Sequence, residues 1–159
     1  MIALLPALVV TCFSLSVGFL SLLVWIERPL LSIIWDVASA KVKDTDIRRV
    51  HSVVHVIAQA DGPTIAGIYQ VTGMVLSVVQ AWQCGFDWAA LLCSAIAVVH
   101  VLYSLRNIGA VLKSAKGTGP EDEASSVRIA IRKEIIFHHT GFAMCVVILL
   151  LQLLLVMRI

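Results

Sequence analysis

The apolar residues of this chain fall into four long runs: Ile2–Ile26, Pro63–Trp82, Trp88–Leu105 and Gly141–Met157, none holding an Asp, Glu, Lys or Arg. A helix needs about 20 mainly apolar residues to cross a hydrocarbon layer about 30 Å thick. Each run therefore predicts a spanning helix. The first is too long for a signal-peptide core and has no basic segment before it, so it reads as a retained span. Within each run, small or polar residues recur near every 3.5 positions. They are Ala7, Thr11, Ser14, Gly18, Ser21 and Trp25 in span one, and Ala66, Gln70, Gly73, Ser77 and Gln80 in span two. In span three they are Cys93, Ala97, His100, Ser104 and Asn107, and in span four Glu134, His138, Gly141, Cys145 and Gln152. Small residues let helix backbones approach closely and amides bond across helices. The expected fold is an all-α, antiparallel transmembrane four-helix bundle, one integral membrane domain over residues 1–159, with these faces turned inward.

Helical pattern runs on past the spans. Asp44-Thr45-Asp46 has the acids of a helix start. From Thr45 to Gln83 only Asp61-Gly62-Pro63 interrupts the pattern, and an unbroken helix there would be about 58 Å long. Thr118-Gly119-Pro120-Glu121-Asp122-Glu123 reads as another start, with Pro in the first turn. The bundle then has helical extensions on one side. Either they protrude, or residues 46–60 and 124–139 bend along the interface, a bend favoured at Gly62-Pro63.

Composition agrees: 60% of residues are hydrophobic and 14% charged, with a mean hydropathy of +0.96. A soluble domain is about 25% charged, so a soluble globule and a disordered chain are both excluded. The net charge of +2 gives no reason to expect nucleic acid. Its distribution matters more. Eleven of the twelve Lys and Arg lie between spans one and two or three and four; only Arg158 does not, and Cys84-Gly85-Phe86-Asp87 has none. The positive-inside rule puts both long loops in the cytoplasm and both termini outside. Trp25, Trp82 and Trp88 sit where an aromatic belt would. Partners are then the lipid bilayer and other membrane proteins or further copies of this chain. Cys12, Cys84, Cys93 and Cys145 form no CxxC and imply no disulfide framework.

Five histidines carry the candidate chemistry. Ionisable groups at membrane depth are costly and mark function by default, and imidazole is the usual haem b and metal ligand. His51 and His55 share a helical face. His100 lies about 18 Å and His138 about 28 Å from the outer helix ends. His55, His100 and His138 are the candidate haem b ligands. His51 and His139 join them as candidate transition-metal ligands, and Asp61 and Glu134 are candidates for proton handling. The histidines converge only if the second helix bends. The alternative gives them interfacial hydrogen bonds to backbone, Glu134 or Glu27, or to lipid headgroups. Asp61, beside Gly62-Pro63, suits a cap of a broken turn, and Glu27-Arg28 suits an interfacial pair.

Ala60-Asp61-Gly62-Pro63, Gln70, Thr72-Gly73 and Trp88 resemble the pattern of a group of small bacterial four-span membrane proteins of unknown function. In that group an Ala-Asp pair, a Pro, a Gln and a Thr-Gly mark the second span and a Trp opens the third. The region from about residue 47 to 110 is also distantly similar to HemJ-type protoporphyrinogen oxidases and CopD-like copper proteins, bundles of at least four spans that use membrane histidines. The HemJ type binds haem b. The resemblance implies haem b or a transition metal in electron transfer or porphyrin-related redox chemistry. A non-catalytic accessory subunit of a larger membrane complex is the alternative.

Overall fold

The structure, a computed structural model, describes residues 4–38 and 41–157. Ile2, where span one was expected to begin, and Arg158 lie outside the described residues. The fold is all-α: α1 (Leu4–Glu27), a 3-10 segment (Arg28–Ile34), α2 (Asp44–Gln59), α3 (Gly62–Gln83), α4 (Trp88–Gly117) and α5 (Ala124–Val156). Helix α1 with its 3-10 extension, α3, α4 and α5 are each long and apolar enough to cross a membrane. They form a ring in which α1 packs on α3, α3 on α4, α4 on α5 and α5 on α1. The outward faces carry Leu15, Leu22, Ile68, Val75, Leu102, Leu150 and many others exposed. A surface of this kind requires lipid rather than water around it; the protein is an integral membrane protein.

The packing sets the separation of two exposed tryptophans. A Cβ built on Gly73 would lie 2.8 Å from Phe13 Cε2 and 3.1 Å from Cys12 Cβ, so Phe13 and Gly73 share one level. From there Trp25 lies twelve residues along α1, and Trp82 nine residues the other way along α3. The two Trp levels are thus about 32 Å apart, close to the thickness of the hydrocarbon layer. Both indoles are exposed.

Two cores are stacked along the axis. Between the Trp levels, Val9, Phe13, Leu20, Leu23, Cys93, Ala97, Cys145 and Ile148 pack together. Beyond Trp25 lies a second core of Leu30, Ile33, Val42, Ile47, Val50, Val54, Val127, Ile131 and Ile135. The second core explains the helical extensions. Helix α2 buries Ile47, Val50, His51, Val54 and Ala58, spaced three and four apart, as an amphipathic helix must. Asp44 meets Arg128 and His51 meets Glu134, so α2 runs alongside α5 and does not turn away along the interface. The chain between α2 and α3 does break, with Ala60 in extended backbone and Pro63 in the first turn of α3. Arg128 ties the second core together: its guanidinium donates to Asp44 Oδ1 and to the Val37 and Val42 carbonyls.

Several local expectations are corrected. The small-residue face of span one points outward: Ala7, Thr11, Ser14, Gly18 and Trp25 are exposed and Ser21 half-buried. Thr11 and Ser21 are satisfied by donating to the Ala7 and Val17 carbonyls one turn back. The large residues of α1 fill the interior because the faces that meet them are small, as Gly73 is against Phe13. Pro120 opens no helix, because α4 runs to Gly117 and α5 begins only at Ala124. Lys43 stands at the N-cap of α2, leaving Asp44 and Asp46 in its first turn. At the other end, Asp87 caps α4 by accepting from the Ala89 amide at 2.9 Å, after a turn that holds Gly85 and Phe86 at positive φ.

Candidate functional site

The seam between the two cores is polar. Glu27 continues the inward face of Leu20 and Leu23 on α1, one turn past Leu23, and is fully buried. It is no interfacial partner for Arg28, whose guanidinium instead lies 5.9 Å from the Trp25 ring centroid. His138 of α5 donates from Nδ1 to Glu27 Oε1 at 2.6 Å. His139 Nδ1 donates to the Ile135 carbonyl at 2.9 Å and stands 3.5 Å from Glu27 Oε2. One turn from His138 on the same face, Glu134 is also fully buried, and His51 Nδ1 stands 3.4 Å from its Oε2.

His51 has two acceptors and no donor: Glu134 on Nδ1, and the Thr118 carbonyl 2.8 Å from Nε2. Satisfying both requires a proton on each nitrogen. Burial by itself would lower the His51 pKa. The Glu134 carboxylate, the Thr118 carbonyl and the charge of Asp122 outweigh that and raise it above the ordinary histidine value. Removing one member of a buried pair of this kind costs about 3–5 kcal/mol, because its partner stays buried and uncompensated. Glu27 Oε2 and Glu134 Oε1 have no hydrogen-bond partner.

A cavity of about 120 Å³ adjoins this layer, at the α2–α3 break. Glu134 and His138 line it at one end, Gln70 and Ser104 contribute its other polar groups, and the rest of the wall is apolar. Val71 and Leu105, two of its lining residues, are exposed on the outer faces of α3 and α4. The cavity is thus open between these helices, where lipid would lie.

The other candidate residues are placed apart from this pairing. His55 faces His51 with ring centroids 6.1 Å apart. It donates from Nδ1 to the Ala115 carbonyl at 2.6 Å and accepts on Nε2 from the Gln59 amide at 2.7 Å, so neither nitrogen is left for a metal. His100 lies deeper, with Nε2 3.4 Å from Cys145 Sγ and Nδ1 without a partner. Asp61 is exposed at the start of α3 and its side chain makes no capping hydrogen bond. No group of three or more His, Cys, Asp or Glu among the described residues could hold a metal ion. Of the three candidate haem ligands, His138 has the fitting arrangement. Its Nδ1 is oriented by a carboxylate, as ligating histidines are, and no described residue bonds its Nε2.

Near the Trp82 level a second polar contact crosses the bundle. The amides of Gln80 and Gln152 donate to each other's oxygens at 3.1 and 3.0 Å, and Gln152 also reaches Cys93 Sγ. This pair has the interhelical role expected of amides in a span. Glu27 was expected only as an interfacial histidine partner or a partner of Arg28 and not as a site residue, although it lies four and seven positions beyond Leu23 and Leu20 on one helical face. Comparison with protein-family models, curated proteins and solved structures gives no match, so the site stands on its own geometry.

Proposed function

We propose that the protein handles protons at a lipid-accessible site built on the Glu27–His138 and Glu134–His51 pairs. One observation carries this reading: two fully buried carboxylates each face a histidine Nδ1, and one member of each pair, Glu134 and His138, lines a cavity that opens between α3 and α4. A carboxylate–imidazole pair shares a proton between oxygen and nitrogen, so the proton can shift without a net charge entering the apolar interior. Glu134 and His138 stand one turn apart on α5 and offer successive stations. The charge asymmetry supports an α2 end in the cytoplasm of a bacterium, with both termini periplasmic.

Infrared difference spectra of the purified protein after a pH jump test the proton reading. Carboxyl and imidazole bands should change together, and Glu27→Gln should remove both the Glu27 and the His138 contributions. A Glu27→Gln variant whose imidazole bands still change as in the wild type overturns it. A second reading, haem b held by His138 for electron transfer or porphyrin-related redox chemistry, is favoured by the carboxylate-oriented imidazole. It predicts a Soret band that is lost in His138→Ala; a colourless preparation from haem-supplied cells rejects it.

A further inference from the structure

The cavity beside the Glu–His layer has the size of one ring. An apolar engineered cavity of about 150 Å³ takes up benzene, and this one has about 120 Å³. Its wall is apolar except at a few groups, and one of these needs a donor: Glu134 is fully buried, lines the cavity, and has no partner for Oε1. The other Glu134 oxygen already faces His51, which supplies the positive charge, so what Oε1 lacks is a neutral hydrogen-bond donor. The opening between Val71 and Leu105 leads toward lipid. A Cβ on Gly67, another lining residue, would meet nothing within 4 Å, so a larger side chain there would grow into open space at the mouth.

We infer that this cavity binds the hydroxylated ring of a membrane-dissolved phenol or hydroquinone, its O–H donating to Glu134 and its apolar tail leaving between α3 and α4. The inference rests on the proton-handling reading of the same layer and names the class of molecule that meets it. A hydroxyl on a ring is a neutral donor of the required kind. The ring fills the apolar space, and the tail accounts for a mouth that opens sideways and not to water.

The test uses the full chain in detergent micelles. Decyl-hydroquinone, its dimethyl ether and tail-less hydroquinone are titrated in turn, with affinities referred to the concentration dissolved in the micelle. Decyl-hydroquinone should bind one per chain and shift the Glu134 carboxyl band. The ether, which has no O–H, should bind about tenfold or more weakly, the loss expected for one hydrogen bond to a charged group. Gly67→Leu should weaken binding at least as much without lowering thermal stability, since leucine favours the helix more than glycine does. Equal binding of the ether overturns the inference, and this arm needs no variant. Tail-less hydroquinone binding as tightly as the tailed form overturns the membrane source. Joint carboxyl–imidazole changes without hydroquinone binding overturn this inference and leave the proton reading standing. Binding without joint changes does the reverse.

Discussion

At the scale of single residues, the protein concentrates its buried charge in one layer, and His51 is the member whose titration has a clear direction. Its two acceptors raise its folded pKa above the unfolded value of about 6.5. Protonated His51 therefore contributes stability that is fully present below about pH 6.5 and is lost as pH rises through the higher folded pKa. Detergent unfolding followed between about pH 6 and pH 8.5 should show falling stability in the wild type. In Glu134→Gln that slope should shrink and the NMR-titrated His51 pKa should drop; an unchanged His51 pKa would show that Glu134 is not its cause. The histidines stood out in the sequence because so few residues here can ionise. Their partners were half legible. Glu134 sits on the same face as His138 and was marked. Glu27 was read as an interfacial group, paired with Arg28 or accepting from a histidine, because a charge at a span end is ordinarily wet; the histidine pairing is present, but the second core puts it inside.

At the scale of elements, the four spans were legible because uninterrupted apolar length is a strong and local signal. Which face of a span turns inward is not local. Small faces on α3, α4 and α5 leave space that a fourth small face would not fill, and α1 supplies Phe13, Leu20 and Leu23 instead. Gly73 is the socket for Phe13. Gly73→Ala should lower stability by about 1–3 kcal/mol through overpacking, read from unfolding in mixed micelles. The penalty should be smaller in a Phe13→Leu background, and a penalty of the same size in both would separate the glycine from Phe13. The helix breaks were less legible than the helices. Gly62-Pro63 does mark the end of a helix, yet Pro120 sits in a linker, since proline fits a turn as well as a first helical turn.

At the scale of the whole molecule, the loop charges do two things. They carry the proposed orientation, and they hold the second core closed: Arg128 reaches Asp44 and two carbonyls, Arg132 donates to the Ile34 carbonyl at 3.0 Å, and Arg48 donates to the Pro120 carbonyl. The sequence reveals the asymmetry but not the core, because its apolar residues are scattered between the loop after α1 and the start of α5. The proposed orientation is tested by single cysteines in a cysteine-free background. A cysteine at Glu121 should be shielded from a membrane-impermeant maleimide in spheroplasts, and one at Phe86 should react. The opposite pattern would invert the topology.

The second core also sets a timetable for synthesis. Leu30, Ile33, Ile47, Val50 and Val54 leave the ribosome long before Val127, Ile131 and Ile135, which complete their packing. At about 5–20 residues per second, the 73 positions from Val54 to Val127 take roughly 4–15 s. Glu27 waits longer still for His138, whose codon lies 111 positions downstream. During that interval the newborn chain presents an apolar strip and a lone carboxylate with no partner, and both are covered only when α5 arrives.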